Sequence, residues 1–152
     1  MTFTLPSYAH IPGQNARHHT DAFDAAKASA LAVTEDATAS ENQAWRYGLE
    51  LLARGFYWEC HEVLETVWLR ARPNSQARAA VQGVIQIANA ALKLEMQKPN
   101  AARRLASIAE AHFRDASGVD GQLPMDLKHE QVALALRQIQ SGKLLVQGLE
   151  LR

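Results

Sequence analysis

The chain has little with which to staple or anchor itself. Cys60 is the single cysteine among 152 residues, so no intramolecular disulfide can form, and a lone thiol suits a reducing compartment. No run approaches the roughly 18 apolar residues that a membrane helix needs. The start, MTFTLPSYAHIPGQ, has no basic stretch leading into an apolar one, which argues against a secretory leader. These absences point to the cytoplasm and away from membranes. Charge of one sign is missing too: 16 lysines and arginines face 16 aspartates and glutamates, so nothing global draws the protein to nucleic acid or an anionic membrane surface. There is no glycine-rich phosphate loop, internal repeat or low-complexity segment. Aromatics make up only 7% while alanine is abundant, a composition that favours helices packed through small side chains over sheets. The length suits one domain, large enough to bury a core without staples.

What is present has a helical rhythm. Residues 1–20 carry Pro6, Pro12, Gly13 and a polar set from Gln14 to His19, and read as an extended arm. A short helix is expected from a Thr20 cap, with Asp21 and Asp24 in its first turn and Phe23, Ala26, Ala30 and Val33 as its stripe. Residues 34–43 form a polar connector. A helix over 41–54 follows, capped by Ser40 and stopped by Gly55. The next spans 57–71 and ends ahead of Pro73, because the residue before proline is pushed out of the helical region. The longest helix starts after Asn74 or Ser75 and runs to about residue 97; Pro99 then takes the first position of AARRLASIAEAHFRDA. A last helix covers 126–140, and KLLVQGLEL is an apolar tail without an evident destination. The fold class is therefore all-α: a single-domain, largely antiparallel array of five to six helices. It divides into an arm and short helix (1–40), a helical core (41–140) and the tail (141–152).

Chemistry concentrates in FYWECHEVLETVW, residues 56–68. At about 100° per residue, Trp58, His61, Glu62, Glu65, Trp68 and Leu69 share an arc of roughly 120°, while Cys60, Val63, Leu64 and Val67 form a separate apolar arc and Glu59, Thr66 and Arg70 fall on the remainder. An ionisable, tryptophan-bearing stripe thus competes for burial with a purely apolar one. The next helix carries a polar seam, with Arg78, Gln82, Gln86, Asn89 and Lys93 inside roughly 80°. Small neighbours, Ala79, Gly83 and Ala90, let another helix approach, and Gly83 costs about 1 kcal/mol of helix propensity against alanine, which implies a packing reason. Facing each other, the two stripes would enclose a polar pocket walled by Trp58 and Trp68, with amides and cations answering the carboxylates.

The motifs GFYWECHEVLETVW and QGVIQIANA, followed by the alanine-rich AARRL, resemble domain-of-unknown-function family 309, a small all-helical family of bacteria and archaea. Its pattern pairs an HE-x-LE-x-x-W helix with a Q-G/A-x-I-Q-x-A helix, and the resemblance runs from about Trp45 to Phe113. The segment YAHIPG with the later Arg17-His18 also resembles an arm found in a bacterial subgroup. The resemblance implies an all-helical domain without an established reaction, and maps the family's characteristic positions to His61, Glu62, Glu65, Trp68 and Gln86.

Two functions from different classes follow. A binding module would use Trp58, Trp68, Arg78, Gln82, Gln86, Asn89 and Lys93 to hold a small polar molecule or a partner segment, with Arg17 and His18 of the arm as a lid. An enzyme would use His61, Glu62 and Glu65 for acid–base or metal-assisted hydrolysis, His61 and Glu65 being the candidate ligands of a divalent metal. The metal lacks a complete ligand set: zinc peptidases carry a second histidine where Glu65 stands, and no E-x-x-H occurs for a di-iron site. Cys60, on the apolar arc, reads as a packed thiol. His112 and His129 read as solitary groups, at the surface or locally bonded, and Arg103 and Arg104 as a solvated face. The apolar tail and small-residue faces allow a homo-oligomer.

Overall fold

The computed structural model describes residues 3–152. It is all-α among those residues, built from α1 (Asp24–Ala28), α2 (Gln43–Ala53), α3 (Tyr57–Leu69), α4 (Gln76–Glu95), α5 (Pro99–Ala116) and α6 (His129–Gln140), with a 3-10 turn at Asp36–Glu41. No helix among them is long and apolar enough to cross a membrane.

Local signals explain most boundaries. α2 ends at Gly55, whose φ of +86° suits a residue without Cβ. The N–H of Phe56 donates to the Leu51 carbonyl (2.8 Å) and that of Gly55 to Leu52 (3.2 Å), the paired pattern that closes a helix C-terminus. Ser75 caps α4 by accepting from the Arg78 N–H at 3.1 Å, and Pro99 opens α5. α4 is the central helix: α3 packs along one side of it and α5 along another, with Ala80, Ala88 and Ala91 meeting Ala102, Ala106 and Ala109 in one buried core. Gly83 has the expected packing reason, since a Cβ there would lie 2.7 Å from the Phe113 ring.

Four expectations are corrected. Thr20 does not cap a helix: α1 starts at Asp24 behind Phe23 and ends at Ala28, where the hydroxyl of the following Ser29 donates to the Ala26 carbonyl (2.6 Å). α2 is capped by Asn42, which accepts from the Trp45 N–H at 3.4 Å, because Ser40 is taken up by the 3-10 turn. The polar connector of residues 34–43 therefore contains a helical turn of its own. The last helix starts at His129, since Met125 and Asp126 sit in the left-handed region at φ 66° and 61°. Met125 is held there from both sides: its N–H donates to the Asp36 carboxylate (2.7 Å) and its carbonyl accepts from the Trp45 indole (3.1 Å).

The tail's destination is the junction of α2, α3 and α6. The Leu149 N–H donates to the Leu52 carbonyl (3.0 Å), the Lys128 N–H donates to the Leu151 carbonyl (2.9 Å), and the Gly148 N–H donates to the Tyr57 hydroxyl (3.2 Å). Leu149 and Leu151 are buried. Burial pushes the Tyr57 phenol up to about 12; the Gly148 bond pulls against this and the Glu95 charge adds to it. The folded state thus holds the phenol neutral beyond the unfolded value of 10.0, so its contribution is whole below that pH and lost as pH rises through about 12. Tyr57→Phe should cost about 1 to 3 kcal/mol in denaturant unfolding at neutral pH, by leaving the Gly148 donor unanswered. It should also reduce the alkaline loss of stability, which a pH series of melting curves measures.

Candidate functional site

α3 is placed by what seals its two ends. At its C-terminus the Thr34 hydroxyl donates to the Val67 carbonyl (2.7 Å), the Thr34 N–H to Arg70 (3.0 Å), and Arg70 reaches back to the Ala30 carbonyl (2.6 Å). These bonds occupy carbonyls that a helix end leaves free. At its N-terminal end the seal is the arm. Glu59, with 0% of its surface exposed, accepts from the His10 backbone N–H (2.7 Å) and meets Nε2 of His18 at 2.6 Å. His18 stacks on Tyr8, with ring centroids 4.4 Å apart, and stands edge-on to Phe23 at 5.3 Å. His10 meets Trp58 edge-on at 5.0 Å, and the Arg17 guanidinium lies 5.8 Å from the centre of a Trp58 ring. Arg17 and His18 therefore cover Trp58 and Glu59 at the first turn of α3.

Glu59 is the residue that helical periodicity leaves unassigned. The available signal is that it stands one turn before Val63, about 40° away on the wheel, and so on the buried flank. Its charge also acts on its neighbours. Burial, and then the Glu59 carboxylate, push the Cys60 thiol far above its ordinary value and raise the Tyr47 phenol. A thiol held protonated and fully buried is a packing group, as its place on the apolar arc implies.

The expected single pocket divides in two. The apolar arc of α3 wins the core, with Cys60, Val63, Leu64 and Val67 fully buried, and this turns the mixed stripe towards the rim. His61 and Glu62 keep 30% and 26% of their side chains exposed, and Glu65 is open to solvent. One ligand atom from each of the three lies within 4.8 Å of the others. Nδ1 of His61 is 3.8 Å from Glu62, whose other oxygen pairs with Lys27 of α1 at 3.2 Å. Lys27 carries no local signal of this role, because the contact spans 35 residues.

The second part is an open cleft of about 520 Å³ over the N-terminal half of α4. Trp68 of α3 and His112 and Asp115 of α5 line it together with Arg78 and Gln82. The Arg78 guanidinium lies 4.1 Å from the centre of the Trp68 ring, and its Nη1 donates to the Ala71 carbonyl at 2.8 Å. Trp58 and Trp68 stand at opposite ends of α3, roughly 15 Å apart along the axis at 1.5 Å per residue, and so do not wall one pocket. Gln86, Asn89 and Lys93 continue the α4 seam half-buried, without a side-chain hydrogen bond to a described residue. One Gln86 oxygen is buried without a partner. His112 is not solitary, since it shares the cleft wall with Asp115.

Residues 45–105 match the model of a family described as a domain of unknown function (DUF309). That segment of the chain is similar to DUF309. The match begins at Trp45, which holds the Met125 turn, and takes in all of α3 and α4, whereas His112 and Asp115, which line the cleft from α5, and Lys27, which pairs with Glu62, lie outside it. No curated protein and no solved structure matches the chain.

Removing the socket of the arm should be costly. Glu59→Ala leaves the His10 donor and the His18 ring without their acceptor, and is expected to lose on the order of 3 kcal/mol in chemical denaturation. Glu59→Gln, which retains an acceptor oxygen, should lose less. In both variants limited proteolysis within residues 3–19 should accelerate; cleavage at the wild-type rate would show that the arm is held by other contacts.

Proposed function

We propose that this protein is a binding module for a small polar molecule, with the α4 cleft over Trp68 and Arg78 as its site. The observation that carries the reading is the cleft itself: about 520 Å³, with a guanidinium stacked on an indole and an amide, Gln82, in reach of the same space. Small-molecule sites are concave surfaces of this size range that combine apolar area with a few placed polar groups. Arg78 supplies a charge whose plane is set by Trp68, and Gln82 supplies both a donor and an acceptor.

A second reading is favoured by the cluster of His61, Glu62 and Glu65. A carboxylate beside an imidazole can take a proton from water and pass it on, and the three side chains can hold a divalent cation. The Lys27 ammonium competes for Glu62, so a cation would have to displace it or bind through His61 and Glu65.

Thermal-shift screening of a metabolite library separates the two. In a binding module, Glu62→Gln keeps the ligand-induced rise in melting temperature, whereas Trp68→Ala or Arg78→Gln loses it. In an enzyme, Glu62→Gln abolishes turnover while binding persists. Metal analysis of untagged protein checks the cation: metal-free protein that takes up no added zinc, manganese or iron removes the metal-assisted form of the second reading.

A further inference from the structure

The cleft over α4 holds charges of both signs that nothing in the described chain answers. Arg78 is half-buried, and no carboxylate of a described residue pairs with it. The single hydrogen bond of its guanidinium among the described residues runs from Nη1 to the Ala71 carbonyl, and the guanidinium plane is fixed against Trp68. With Nη1 turned away, the edge formed by Nε and Nη2 stays free, and that edge presents two parallel N–H donors spaced for the two oxygens of a carboxylate. Asp115 and, three residues earlier, His112 line the same cleft from α5, and neither makes an ion pair or side-chain hydrogen bond with a described residue. Their spacing puts both on one face of α5.

The two unanswered charges restrict what fits. A purely anionic ligand that satisfies Arg78 brings its charge into the same cleft as the Asp115 carboxylate. A purely cationic ligand meets the converse problem at Arg78. A molecule with both charges a few bonds apart answers both, and each group then selects against ligands lacking its counterpart. Building on the binding reading above, we infer that the cleft takes a small zwitterion of the free α-amino-acid type. Its carboxylate lies on the Nε/Nη2 edge of Arg78, its ammonium faces Asp115 with His112 beside it, and its side chain lies along the exposed part of Trp68. A volume of about 520 Å³ holds such a molecule with room for its side chain.

The test uses the full chain, titrated with the twenty L-amino acids and with two blocked forms of each, the N-acetyl acid, which keeps only the carboxylate, and the amide, which keeps only the amine. The readouts are calorimetry and the Trp68 indole signal in NMR spectra. At least one free amino acid is expected to shift that signal, with both of its blocked forms at least tenfold weaker. Asp115→Asn, a change at an exposed side chain, should weaken the free amino acid at least tenfold and leave its N-acetyl form unaffected or improved. Arg78→Gln, with folding checked by circular dichroism, should do the same to the amine-only form. If the N-acetyl acids bind as well as the free ones and Asp115→Asn changes nothing, the zwitterion inference fails while the binding module stands. A library compound that shifts the Trp68 signal where no amino acid does has the same meaning. If no probe and no library compound moves that signal, both fall.

Discussion

A carboxylate without exposed surface draws in donors, and the two that reach Glu59, from 49 and 41 residues away, both meet Oε2, while Oε1 is buried without a partner among the described residues. Much of the architecture near α3 depends on that pairing. The backbone N–H of His10 and the ring of His18 can reach Glu59 only if the arm runs across the first turn of α3, and in doing so the arm lays Tyr8, His10, Arg17 and His18 against Trp58 and Phe23. One buried charge thereby organises an aromatic cluster that apolar burial alone would leave without direction, since hydrophobic contacts set no register and charge-assisted hydrogen bonds do.

Fixing one end of α3 in this way decides how its other faces are used. With Glu59 and the apolar arc committed inward, the His61–Glu62–Glu65 set falls on the rim and Trp68 turns towards the start of α4. α3 thus contributes to two neighbouring surfaces: a ledge that carries His61, Glu62 and Glu65, and a cleft with an oriented guanidinium. They share a helix without sharing a pocket. The arm, which the sequence suggests as a lid, covers the opposite end of α3 from the cleft and so closes off Trp58, leaving Trp68 open.

What could be read in the chain beforehand follows the range of the interactions involved. Gly55, Ser75 and Pro99 act within one turn of their own positions, and the boundaries they imply hold. Ser40 and Asn42 are both competent caps, and choosing between them requires knowing that Asp36–Glu41 winds into a 3-10 turn. The start of α6 depends on Trp45 and Asp36 gripping Met125, a contact across 89 residues for the Asp36 bond. Lys27 at Glu62 and the docking of the tail are equally non-local. The polar stripe of α3 was visible as a pattern; which of the two competing stripes is buried is a question of total apolar area, and the wheel does not weigh area. The same limit hid Glu59, whose burial makes sense only once the donors of the arm are in place.

The docking of the tail sets the order in which the molecule can be completed during synthesis. The Gly148–Tyr57 bond closes across 91 residues, and Leu149 and Leu151 tie the ends of α2 and α6 together. On the ribosome, α2 to α5 can collapse around their alanine-rich contacts, but the junction of α2, α3 and α6 stays unclosed until residues 148–151 have emerged. Until then the pocket for Leu149 and Leu151 is open apolar surface beside the phenol of Tyr57. The nascent domain therefore exposes a hydrophobic opening beside the start of α3 until residues 148–151 dock over it.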